Sequence, residues 1–151
     1  MHMAFWDKWF TKSKEEKKAE DQKIKLLAQI KELSILSQAL IKKLDEKYNK
    51  FSRTPDKSIT ALINKVKSLI EEANDHLQDA YQYLDVFNIN FTIKELLNVK
   101  KSINKISESN IDDLIKLNIF SKSNKGAILI IRSQVERLGE DLPKFDLKTA
   151  K

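Results

Sequence analysis

Few residues of this chain could do acid–base or metal chemistry, and they are poorly grouped. His76 follows Glu72 by four residues, which puts both on one helix face and could hold a metal ion weakly. The other histidine, His2, lies in Met1-His2-Met3, which reads as an added leader ahead of a natural start at Met3 and gives His2 no role. No Glu-x-x-His repeat completes a bundle-type metal site, so a surface histidine among Glu71, Glu72, Asp75 and Asp79 is the simpler reading. Glu71-Glu72, Asp112-Asp113 and Glu140-Asp141 are adjacent pairs that a helix points about 100° apart. They suit solvated faces or first helical turns better than a cooperating acid and base. With no Gly-x-Gly, no Gly-Lys-Ser/Thr loop and no His-Glu-x-x-His, no enzymatic activity, cofactor or resident metal is expected.

A second kind of chemistry is adsorption. Both tryptophans of the chain and two of its seven phenylalanines fall in Phe5-Trp6-Asp7-Lys8-Trp9-Phe10. On a helical wheel Phe5, Trp6, Trp9 and Phe10 share an arc of roughly 140°. Lys8, Lys12, Lys14, Lys17 and Lys18 add a basic track beside them. Rings this concentrated need a receiving surface: the chain's own bundle, a second copy, a protein partner or an anionic membrane. Burial of each ring offers at most about 1.5–3 kcal/mol. Each lysine adds about 1 kcal/mol near an anionic leaflet, which places attachment in the reversible regime.

The competing reading is nucleic-acid binding through residues 92–131. A helix opening at Thr92, a second ending near Phe120, and a hairpin turned by Asn124-Lys125-Gly126 would give the order of a winged helix-turn-helix. Lys100, Lys101, Lys105, Lys122 and Lys125 would then meet phosphate. Asp112 and Asp113 argue against it, because carboxylates facing phosphate cost affinity. An all-helical reading of the region is favoured.

The elements that must carry these groups follow from composition. Hydrophobic residues make up 41% and charged residues 33%, too apolar for a disordered chain. Two glycines and two prolines leave little for tight β-turns, so the fold class is all-α. The lack of cysteine suits a reducing compartment, and no run approaches the roughly 18 apolar residues of a spanning helix. A cytoplasmic protein, peripheral at a membrane, is the expectation. Charge is uneven: residues 1–58 hold 14 Lys/Arg against 9 Asp/Glu, residues 59–98 hold 3 against 6, and residues 99–151 hold 11 against 7. Basic ends around an acidic middle fit anionic lipid, nucleic acid or head-to-tail self-association.

Along the chain, Leu26, Ile30, Leu33, Ser37, Leu40, Leu44, Tyr48 and Phe51 recur at steps of three and four, the coiled-coil-like seam of a first helix from about Lys14 to Lys50. Ile24, Leu27, Leu36 and Ile41 widen its face, and the charged stretch up to Lys25 should project into solvent. Thr54 reads as an N-cap, Pro55 as the first helical residue and Asp56 as a first-turn acid. The second helix, to about Val86, carries Ile59, Ile63, Val66, Ile70, Ala73, Leu77, Ala80 and Leu84, and should pack antiparallel on the first. Residues 87–91 read as a linker, and Thr92 with Glu95 as the capping box of a third helix. A short fourth helix carries Ile111, Leu114, Ile115 and Leu117. Residues 121–126 read as a loop. Ile128, Ile131, Val135 and Leu138 read as a last helix closed by Gly139, with a buried strand over 127–131 as the alternative.

An aromatic amphipathic start, a basic run and a helical hairpin, over residues 4–86, resemble in layout the membrane-remodelling proteins of the ESCRT-III and phage-shock-protein kind. The likeness rests on no diagnostic motif, and the hairpin is shorter than that family's, so the chain is not placed in it. The resulting expectation is an antiparallel helical hairpin extended by shorter helices into a small bundle. Residues 1–18 form an attachment segment, 19–142 the bundle and 143–151 a tail. The function expected is that of a non-enzymatic helical scaffold or adaptor attached reversibly to an anionic membrane surface or a protein partner, and homo-oligomeric in one version. Nucleic-acid binding through residues 92–131 is the alternative, and a self-assembling structural protein a further one.

Overall fold

The computed structural model describes the backbone of residues 2–149 and the side chains of residues 17–145. Five helices and, among the described residues, no strand make up the chain: α1 (His2–Phe51), α2 (Lys57–Asp85), α3 (Ile89–Asn104), α4 (Glu108–Lys116) and α5 (Lys122–Thr149).

The α1–α2 hairpin forms where the apolar steps predict it. Leu26, Leu27, Ile30, Leu33, Leu40 and Leu44 of α1 are buried against Ile63, Val66, Ile70, Ala73, Leu77, Ala80 and Leu84 of α2. Area removal of this kind contributes about 1.5–3 kcal/mol per large side chain, far more than helix propensity could. Ile24 departs from the predicted face and is exposed. The register is pinned by polar groups. Buried Ser34 Oγ donates to Asn74 Oδ1 at 2.6 Å, and Gln38 Nε2 donates to Ser34 Oγ at 3.3 Å. Sliding either helix by a turn would orphan these groups in an apolar seam. Lys67 pairs with Asp45 nearer the connection, and Lys23 Nζ reaches the Asp85 carbonyl oxygen at 3.3 Å at the other end.

Helix ends differ in detail from the sequence reading. Asp56, not Thr54, is the N-cap of α2: its Oδ1 accepts from Ser58 N at 2.9 Å and from Ser58 Oγ at 2.5 Å. Thr54 is used instead to finish α1, its Oγ1 donating to the Phe51 carbonyl at 2.7 Å. At the far end of α2, Phe87 N donates to Leu84 O at 2.9 Å and Asn88 N to Tyr83 O at 2.8 Å, a Schellman closure. It places Phe87 at φ 58°, a position glycine normally fills. Asn88 then caps α3 by accepting from Phe91 N at 3.3 Å, so the expected 87–91 linker is a turn and the first residues of a helix. Thr92 lies inside α3, its hydroxyl on the Asn88 carbonyl at 2.7 Å, and Glu95 faces α2 rather than closing a capping box.

Residues 121–126, expected to be a loop, are the cap and first turn of α5. Ser121 N donates to Asn124 Oδ1 at 2.8 Å and Asn124 N donates back to Ser121 Oγ at 3.3 Å, a reciprocal cap. The strand alternative for 127–131 fails because burial follows a helical period. Ile128, Ile131, Val135, Leu138, Leu142 and Phe145 are buried, whereas Leu129 and Ile130 are about half exposed. Gly139 does not end the helix, and no glycine has positive φ. The helix also runs through Pro143, so 143–151 is not a tail over its first part: Phe145 is 1% exposed. The burial of Leu142 and Phe145 outweighs the hydrogen bond that Pro143 removes.

α5 runs antiparallel to α1. Lys43 Nζ donates to Asn124 Oδ1 at 2.7 Å near one end, and Phe145 stacks on Phe87 beside Lys23 at the other. α3 runs antiparallel to α2, with Glu95 against His76 and Ser102 against Glu72. α1, α2, α3 and α5 thus form an antiparallel four-column bundle, and the short α4 touches α2 and pairs Glu108 and Asp112 with Lys125 of α5.

Candidate functional site

Lys23 marks where the hairpin stops. Its ammonium lies 4.4 Å from the centre of the Phe87 ring and 3.3 Å from the last helical carbonyl of α2, at Asp85. Phe87 stacks in turn on Phe145, with ring centroids 6.1 Å apart and planes at 15°. These contacts, each of order 0.5–1.5 kcal/mol, offset the roughly 1–2 kcal/mol of a left-handed aromatic residue. α1 continues from this junction back to His2, about 20 residues or ~30 Å of helix past the end of α2. Lys17 and Lys18 lie on that overhang and are exposed. The side chains of Phe5, Trp6, Lys8, Trp9, Phe10, Lys12 and Lys14 lie outside the described residues.

The lysines of the nucleic-acid reading are not gathered by a wing, because the region expected to turn a hairpin is helix. Lys125 is held by Asp112 at 3.2 Å and Glu108 at 3.4 Å, and Lys100 by Glu136 at 3.5 Å. The hydrogen bond that the Lys125 ammonium donates to Asp112, then the one it donates to Glu108, raises its pKa above the ordinary lysine value. Its charge is thus already engaged by carboxylates. Lys101, Lys105 and Lys122 are exposed.

One constellation was not foreseen. His76 Nδ1 lies 2.6 Å from Glu95 Oε2, joining α2 to α3. Asp79, one helical turn beyond His76, brings a carboxylate oxygen into the same group, with all three ligand atoms within 4.8 Å of one another. Glu72, the partner suggested by spacing, turns instead toward Ser102 Oγ at 3.4 Å. The signal that could have found Glu95 is the short α2–α3 connection, which brings the residues before and after it into antiparallel register.

A groove beside the α1–α2 seam, lined by Gln38, Asp45, Glu71, Asn74 and Asp75, is open to solvent and mostly polar, unlike the concave apolar sites that enclose small molecules. Among the described residues no helix is long and apolar enough to cross a membrane.

Fold and surface together define a class: an all-α bundle whose first helix outruns its partner and begins in aromatic residues flanked by lysine. Comparison with protein-family models, with curated proteins and with solved structures gives no match to this chain.

Proposed function

We propose that this protein is a non-enzymatic helical scaffold or adaptor that attaches reversibly, through its N-terminal helix, to an anionic membrane surface or a protein partner. Phe5, Trp6, Trp9 and Phe10 supply the apolar contact, and Lys8, Lys12, Lys14, Lys17 and Lys18 the electrostatic one. The observation that carries this reading is the unequal length of the hairpin. α2 ends at the Lys23 junction while the backbone of α1 stays helical back to His2, so the ring-bearing stretch lies on the overhang ahead of the hairpin's last shared layer. A helix is the conformation in which those four rings share one side. The chain would work peripherally at the membrane from the cytoplasmic side, and a second copy is an alternative receiver for the same rings.

Because Trp6 and Trp9 are the only tryptophans, indole fluorescence reports this segment alone. Adding vesicles that contain anionic lipid should shift emission to the blue and protect the indoles from iodide. Unchanged emission and quenching, with both anionic and neutral vesicles, would remove membrane attachment from the proposal.

A further inference from the structure

We infer that His76, Asp79 and Glu95 form a binding site for one divalent transition-metal ion of the zinc class. Three observations converge on it. First, the donors come from two packed helices rather than one flexible surface: His76 and Asp79 share a face of α2, and Glu95 stands opposite on α3. Second, Glu95 is only 15% exposed at its side chain, and the group within ion-pairing distance of it among the described residues is the His76 imidazole rather than a lysine or arginine. A largely buried carboxylate held this way still favours a cation. Third, a second carboxylate, Asp79, points into the same 4.8 Å group, so one ring faces two acids.

The geometry suits a small ion after a slight adjustment. Bonds of about 2.0–2.2 Å to nitrogen and oxygen set tetrahedral donors roughly 3.3–3.5 Å apart. The His76–Glu95 contact at 2.6 Å must therefore open by less than an ångström, and exposed Asp79, within 4.8 Å of the other two donors, must close by up to about 1.5 Å, within reach of a side-chain rotation. The ion takes the place of the His76–Glu95 hydrogen bond: Nδ1 presents its lone pair, and a hydrogen it carried is lost to solvent or moves to Nε2, leaving the neutral imidazole as the ligand. One nitrogen with two oxygens selects zinc, cobalt, nickel or copper over magnesium and calcium, which prefer sites built wholly of oxygen. Three protein donors leave a coordination position for water or for a donor from a partner.

Calorimetric titration of zinc chloride into the full chain tests this, with circular dichroism confirming the fold of each variant. One ion should bind per chain, while magnesium and calcium chloride give no comparable heat. His76→Gln, Glu95→Gln and Asp79→Asn should each weaken binding by about tenfold or more. Asp79 is exposed and packs no core, so Asp79→Asn keeps the test valid even if another variant unfolds. Glu72→Gln and His2→Gln should bind as the parent does. The inference is overturned if the parent takes up no zinc or if Asp79→Asn and Glu95→Gln bind unchanged. It is equally overturned if Glu72→Gln loses as much as Asp79→Asn, which would mean diffuse attraction to an acidic face, or if His2→Gln abolishes binding.

Discussion

Replacing Phe145 by alanine asks whether the chain beyond Pro143 is part of the core. The ring is 1% exposed, stacks on Phe87, and through it joins the Lys23 junction at the end of α2. Truncating a buried phenylalanine costs about 3–5 kcal/mol in transfer and cavity terms. The lower end applies, because the last turns of α5 can fray and collapse partly into the space left. A loss of about 3 kcal/mol is therefore expected for Phe145→Ala. Urea unfolding followed by circular dichroism reads it: with a slope of about 2 kcal/mol per molar, the midpoint should fall by about 1.5 M at constant slope. Phe91→Ala is the internal comparison. That ring is 47% exposed and stacks on Tyr83 at 5.2 Å, so its loss should cost about 1 kcal/mol or less. Equal small shifts for both variants would refute the placement of Phe145 and restore a terminal tail from residue 143.

Gly126 and Gly139 lie within α5, without positive φ and with nothing within 4 Å of an added Cβ, so alanine at each should stabilise by about 0.5–1 kcal/mol in the same assay. Ser34→Ala leaves the Asn74 oxygen without its hydroxyl donor inside the hairpin and should cost about 1–3 kcal/mol, whereas Ser34→Ala with Asn74→Leu should recover much of that loss. Asp56 caps α2, and its hydrogen bonds from the Ser58 side chain and backbone lower its carboxyl below the ordinary 3.8. Its stabilisation is therefore present above that value and fades as pH falls through the lowered one. Asp56→Ala should melt earlier than the parent at neutral pH, and the gap should shrink below pH 3.8; a gap constant down to pH 2 would contradict this.

Local spacing made much of this fold readable. The seams of α1 and α2 survive as predicted because long helices repeat one burial signal many times over. Boundaries were less legible, since several residues of the right chemistry compete within a few positions: Thr54 and Asp56 can both cap, and each found a different helix end. Gly139 and Pro143 read as stop signals, yet Leu142 and Phe145 on the buried face carry α5 onward. Phe87 closes α2 where glycine would be expected, because stacking and a lysine over its face compensate for its backbone conformation. The His76–Glu95 contact was invisible to spacing along one helix, for it depends on the register of two helices around a turn. The winged reading failed for the related reason that a short, mostly β-branched apolar run such as Ile128–Ile131 is silent about its period until its neighbours are known. Legible from residue type alone was the aromatic and lysine-rich start of α1, on which the proposed function rests.

The most direct test of that function is flotation of the intact chain, beside a version beginning at Lys14, with vesicles of neutral lipid and with vesicles containing anionic lipid. Attachment through the opening rings predicts that the intact chain floats with anionic vesicles, less with neutral ones, and that the shortened chain stays at the bottom of the gradient. Equal recovery of both chains with the vesicles would contradict it.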